Sequence, residues 1–177
     1  MREIVVSMQN TLLSEAVAWS LAETGEFRVD QVLPGKTGDT FSLCRAVQAD
    51  ILLMEVSRLP AYTLENRLKL IECVRRAMPN CKFVLLCDEN GDPELARRVM
   101  IVRQDRLIDA FLYASVTPAY LTAALTLCLC PCFAGAAPPE DLPAVKTFRY
   151  ATSGMGIEAF NRYQIKDMAR GRFHNEQ

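Results

Sequence analysis

Apolar positions along this chain fall into two alternating rhythms. Uninterrupted apolar runs at 4–6, 51–54, 83–86 and 110–113 have the pattern of strands buried on both faces of a parallel sheet. A fifth run, 27–33, alternates between apolar and polar residues and suits an edge strand. Between the runs, apolar residues recur at steps of three and four, the helical period. Leu13, Val17 and Leu21 share one face, with Gly25 as a stop signal beyond them. Leu64, Leu68, Ile71, Val74 and Met78 form a second stripe, closed by Pro79. Asp92-Pro93 and Thr117-Pro118 each read as an N-cap followed by a first-turn proline. The first pair opens a helix through Leu95, Val99 and Val102, the second a helix through Leu121, Ala124, Leu125 and Cys128. A weaker helix is expected over 40–48.

Strands alternating with helices in units of about 25–30 residues predict an α/β fold with right-handed crossovers. The expected architecture is a three-layer, doubly wound, five-stranded parallel sheet of order 2-1-3-4-5, occupying residues 1–130. The pattern changes at Pro131. Residues 131–145 are rich in Ala and Pro and read as an extended linker. Residues 146–177 carry six bases (Lys146, Arg149, Arg162, Lys166, Arg170 and Arg172) against the acids Glu158, Asp167 and Glu176, a local excess of +3. A short helix over 157–170 is expected there, with Ile157, Phe160, Ile165 and Met168 as its apolar face.

Composition narrows the function. Half of the residues are hydrophobic, 23% are charged and the net charge is −1, so no global field draws the chain to nucleic acid or membrane. No charged-then-apolar leader opens the sequence. No apolar run approaches the ~20 residues of a membrane span, and a cytoplasmic protein without membrane contact is expected. The seven cysteines read as reduced thiols, mostly small core residues.

Chemistry in an open parallel sheet belongs at the carboxyl ends of its strands. Ser7, Met8, Gln9 and Asn10 follow the first strand. Glu55, Val56 and Ser57 follow the third, Cys87, Asp88 and Glu89 the fourth, and Ala114 and Ser115 the fifth. The segment Ala49-Asp50-Ile51-Leu52-Leu53-Met54-Glu55-Val56 with Pro60, the run 83–87 and the run 111–118 resemble the third, fourth and fifth strands of CheY-like response-regulator receiver domains. The resemblance in order, spacing and punctuation covers residues 2–128. It implies a phosphorylation site made of an acidic pair holding Mg²⁺, a phospho-accepting Asp, a hydroxyl residue and a Lys. Every one of these is replaced. The acidic pair falls on Met8 and Gln9, the acceptor on Glu55, the hydroxyl on Cys87 and the lysine on Ala114, leaving a vestigial site with no cation beside its carboxylate. Mg²⁺ takes an octahedron of oxygens, which Met and Gln do not supply. A transferred phosphoryl group then finds nothing to stabilise its charge. Phe111 occupies the family's aromatic switch position.

The remaining motifs carry less. Cys128, Cys130 and Cys132 are too closely spaced for a structural zinc site, and the sole histidine, His174, lies far along the chain. Neither Gly35-Lys36-Thr37-Gly38 nor Ser153-Gly154-Met155-Gly156 has the spacing of a phosphate loop, so no metal or cofactor is expected. No nucleophile–base pair assembles at the strand ends, which argues against an enzyme. The expected function is a phosphorylation-independent, receiver-like signalling module acting through a protein partner. The resemblance implies a homodimer through the face bearing Arg97, Arg98, Met100, Arg103 and Tyr120. Two alternatives stand beside it. One is a transcription regulator whose output is the basic tail, the sole place for nucleic-acid contact, or a helix-turn-helix domain that was lost. The other is a small-molecule sensor using the vacated acidic pocket.

Overall fold

The structure, a computed structural model, describes residues 1–32, 39–88 and 90–130. Five strands form one all-parallel sheet: β1 (Arg2–Ser7), β2 (Phe27–Val32), β3 (Ile51–Glu55), β4 (Lys82–Cys87) and β5 (Ala110–Tyr113). Their order is β2-β1-β3-β4-β5, as the alternating rhythms predict. Ile4 pairs with Ile51 and Val29, Leu52 with Phe83, and Leu85 with Phe111. β2 is an edge strand with Arg28 and Gln31 exposed along it, a composition that discourages pairing with another chain.

Helices α1 (Thr11–Glu23), α2 (Asp39–Val47), α3 (Leu64–Ala77), α4 (Pro93–Gln104) and α5 (Pro118–Cys128) connect the strands, and a 3₁₀ turn (Pro60–Tyr62) precedes α3. Val5, Leu52, Met54, Phe83, Leu85 and Phe111 pack against α2, α3 and α4 on one face. Ile4, Val6, Ile51, Leu53, Val84 and Leu112 pack against α1 and α5 on the other. This double burial is why the central stretches of β1, β3, β4 and β5 are unbroken apolar runs.

Helix starts follow the cap chemistry. The Asp92 and Thr117 side chains accept from the N–H groups of Leu95 and Tyr120 at 3.1 and 3.3 Å, and Asn10 accepts from Leu13 N–H at 3.1 Å. Gly25 ends α1 with φ +69°, a left-handed conformation that glycine adopts without steric cost. At the amino-terminal ends of the strands, carboxylates hold strand beginnings. Asp50 accepts from Glu3 N–H at 2.9 Å, and Asp109 from Phe83 N–H at 2.9 Å. Residues 131–177, the Gly35-Lys36-Thr37-Gly38 turn and Glu89 lie outside the described residues, and the linker, tail, Cys132 and His174 expectations lie there with them.

Candidate functional site

The carboxyl ends of β3, β4 and β5 open onto a cavity of about 450 Å³. Glu55, Ser57, Arg58, Cys87, Asp88, Asp92 and Ala114 line it, together with Leu13 from α1. The topology brings Glu55, Cys87 and Ala114 to one place although their sequence separations are large.

Glu55 ends β3, half-buried, and turns its carboxylate toward the start of α1. Its Oε2 accepts hydrogen bonds from Gln9 N–H at 2.7 Å and Asn10 N–H at 3.2 Å. These amides lead into a helix N-terminus, where unpaired N–H groups and the helix dipole favour an anion. The protein's own side chain is that anion. Ser57 Oγ meets the Gln9 side-chain oxygen at 3.4 Å, a second tie between the β3 and β1 loops.

Below this rim lies a residue that the sequence reading passed over. Arg67 on α3 is 1% exposed. Its Nε donates to the Glu55 carbonyl at 2.9 Å, one terminal nitrogen to Ser7 Oγ at 3.1 Å and the other to the Ser7 carbonyl at 2.9 Å. The Tyr62 ring stacks on the guanidinium, 4.6 Å from its centroid. Burial pulls the Arg67 pKa down to about 10, while the field of Tyr62 and that of Glu55 favour its charge. Arg67 is therefore a cation at neutral pH, and it ties the ends of β1 and β3 together. The expectation of a carboxylate without a positive neighbour is corrected: a guanidinium sits beneath it. The signal was legible in principle, since Arg67 stands three residues after Leu64 and four before Ile71, on the buried face of its helix.

A second cation, Arg58, crosses the mouth of the cavity. It pairs through Nε with Asp92 Oδ2 and through a terminal nitrogen with Asp92 Oδ1 at 2.9 Å, the two-pronged geometry that suits guanidinium and carboxylate. Asp92 also caps α4. The Arg58 hydrogen bond and the Leu95 N–H together hold its pKa down to about 2. Asp88 is engaged locally, its Oδ1 accepting from the N–H groups of Asn90 and Gly91 at 3.0 Å each.

Three sequence expectations change. Met8 is not part of the lining of the rim cavity; it is 1% exposed and belongs to the core between the sheet and α1. Gln9 meets Glu55 through its backbone N–H. Met100 is 3% exposed and packs in the core, so it offers no contact surface. On the same helix, Arg97 and Arg98 are exposed and pair with Glu94 and with Glu65 of α3. Arg103 and Tyr120 are half-buried, and burial pushes the Tyr120 hydroxyl pKa up. Phe111 is buried, edge-on to Tyr113 at 5.6 Å.

The Mg²⁺ of receiver chemistry does not fit this rim. The carboxylates here are already engaged, Glu55 with amides, Asp88 with its own loop and Asp92 with Arg58, and Met8 is turned into the core. Among the described residues no group of three His, Cys, Asp or Glu side chains is arranged to hold a metal ion. Nor is any helix among them long and apolar enough to cross a membrane. Burial pushes the thiols of Cys44, Cys81 and Cys128 up to about 12, well away from the thiolate form that reacts.

Solved structures share this architecture. A response-regulator receiver domain protein from Clostridium thermocellum superposes with a TM-score of 0.58 at 13% identity, over 73% of this chain and 94% of that one. A CheY-like receiver domain protein from Methanospirillum hungatei gives 0.57 at 17% identity, over 73% and 94%. A redox sensor of the streptococci, described as evolved from two-component response regulators, gives 0.59 at 18% identity, over 73% of this chain and 51% of that one. No protein-family model matches the sequence, and none of the curated proteins does.

Proposed function

With the fold of a response-regulator receiver as the premise, we propose that this chain is a phosphorylation-independent signalling module that works through protein contacts. The observation that carries the reading is the Glu55 carboxylate bonded to the Gln9 and Asn10 amides. In a receiver, the residue ending the third strand must be a free nucleophile facing a metal and a lysine. Here one of its carboxylate oxygens already accepts from two backbone donors, and the lysine position is Ala114. A carboxylate fixed at this rim holds the end of β3 against the start of α1 in one arrangement without any added phosphate. The module would meet its partner, a second copy in the simplest case, across α4, β5 and α5, where Arg97, Arg98 and Tyr120 supply residue types enriched at interfaces.

Incubation of the protein with acetyl phosphate and Mg²⁺, followed by intact-mass measurement, tests this directly. No gain is expected; a stable increase of about 80 daltons, one phosphoryl group, would refute the reading.

The cavity favours a second reading, a small-molecule sensor. Its volume of about 450 Å³ is that of a metabolite pocket, and its lining carries Glu55, Asp88 and Asp92 against Arg58. A thermal-shift screen of metabolites separates the readings, because a saturating ligand raises the unfolding temperature.

A further inference from the structure

Helix α1 turns Ser14, Val17, Ala18 and Leu21 toward the sheet and α5. Its opposite side is unusually apolar. Leu12 is 77% exposed and Trp19, the chain's single tryptophan, is 68% exposed. With exposed Ala16 between them they form one stripe at helical spacing. Every charge on the helix is acidic: Glu15 and Glu23 are exposed, and Glu26 stands just beyond its end. An exposed apolar patch rimmed by charge marks a contact surface.

A second copy of the same face is a poor occupant. A two-fold pairing would set Glu15 and Glu23 against the same carboxylates, and α1 has no base to separate them. The complement lies in the chain itself. α5 packs in the same layer as α1 and ends where Thr126 Oγ donates to Glu26 at 3.2 Å, so residues 129–177 start beside the acidic end of α1. Residues 131–145, rich in Ala and Pro, span about 45 Å when extended at ~3.1 Å per residue, against about 20 Å for the whole of α1. Beyond them residues 146–177 carry six bases against three acids, together with the apolar residues Ile157, Phe160, Ile165 and Met168.

We propose that the basic segment 146–177 docks in cis on the outer face of α1, its bases meeting Glu15, Glu23 and Glu26 and its apolar residues covering Leu12 and Trp19. The stripe is thereby an intramolecular docking surface.

Trp19 reports on this without any label. In the full-length protein its emission is expected to be blue-shifted and shielded from acrylamide, to the same degree at every protein concentration. The variant Arg162→Glu/Lys166→Glu/Arg170→Glu shifts the emission to the red and exposes the indole to quencher. Phe160→Asp does the same, and so does wild-type protein in ~1 M salt, where the screening length falls to about 3 Å. These substitutions lie outside the α/β domain, and far-ultraviolet circular dichroism checks that the domain is intact. Three results overturn the proposal. They are a Trp19 as accessible in wild type as in the variants, shielding that both variants retain, and shielding that grows with protein concentration, which assigns the face to a second copy.

Discussion

Replacing Arg67 by Met keeps most of the side-chain volume but removes the three guanidinium donations to the Glu55 carbonyl, Ser7 Oγ and the Ser7 carbonyl. Each buried acceptor left dry costs about 1–3 kcal/mol, so a fall of about 3 kcal/mol or more in unfolding free energy is expected from urea midpoints at constant m. A loss under about 1 kcal/mol would show the guanidinium to be dispensable. Asp92 gives a pH-dependent counterpart. Its carboxyl is held down to about 2 from an ordinary 3.8, so the folded state stays ionised where the unfolded chain has already bound a proton. The resulting stabilisation is complete above about pH 4 and is lost as the pH falls toward 2. Asp92→Asn keeps an acceptor for Leu95 N–H but loses the charge, so its stability should fall less than that of wild type across this window in thermal melts. Asp92 was legible from its place before Pro93. Arg67 was not read, because the apolar pattern around it describes a stripe and one long polar side chain threads it without breaking the rhythm. Its partners are mostly backbone carbonyls, which no sequence displays.

At the level of elements, the end of α1 depends on one backbone conformation. A Cβ at Gly25 would meet nothing within 4 Å, so the cost of Gly25→Ala is the strain of φ +69° alone, about 1 kcal/mol. Gly25→Asn should recover part of that loss, since Asn tolerates the left-handed region. Equal destabilisation by Ala and Asn in chemical denaturation would contradict this. Strands were the most legible elements, because burial on two faces writes itself as unbroken apolar runs such as 51–54 and 83–86. Caps were legible from Asp92-Pro93 and Thr117-Pro118. Met100 was misplaced for the opposite reason: α4 is amphipathic, but its Arg97 and Arg98 drew attention to a surface from which the next helical position but one turns inward.

For the whole molecule, the proposed partner surface gives a direct expectation. Arg97→Glu/Arg98→Glu reverses two exposed charges and sets like charge beside Glu94 and Glu65. If two copies meet across α4, β5 and α5, sedimentation equilibrium should shift toward monomer while the melting temperature changes little, because exposed ion pairs contribute only ~0–1 kcal/mol. Unchanged association would remove that surface from consideration. Association and any output stayed illegible in the sequence, for they depend on which groups face outward together. The rim was half legible: Glu55, Cys87 and Ala114 could be placed at strand ends, but the amides that hold Glu55 come from a loop whose approach only the fold reveals.

The all-parallel sheet also constrains how this chain is made. β1 pairs with β2 and β3, never through a tight hairpin, so each ladder awaits a complete crossover. While the polypeptide emerges from the ribosome, β1 lacks its inner neighbour until residues 51–55 have been synthesised, and the far edge stays open until 110–113 follow. Such non-local pairing folds slowly and leaves apolar strands exposed in the interval. A nascent chain stalled before β5 should consequently be the form most dependent on chaperones.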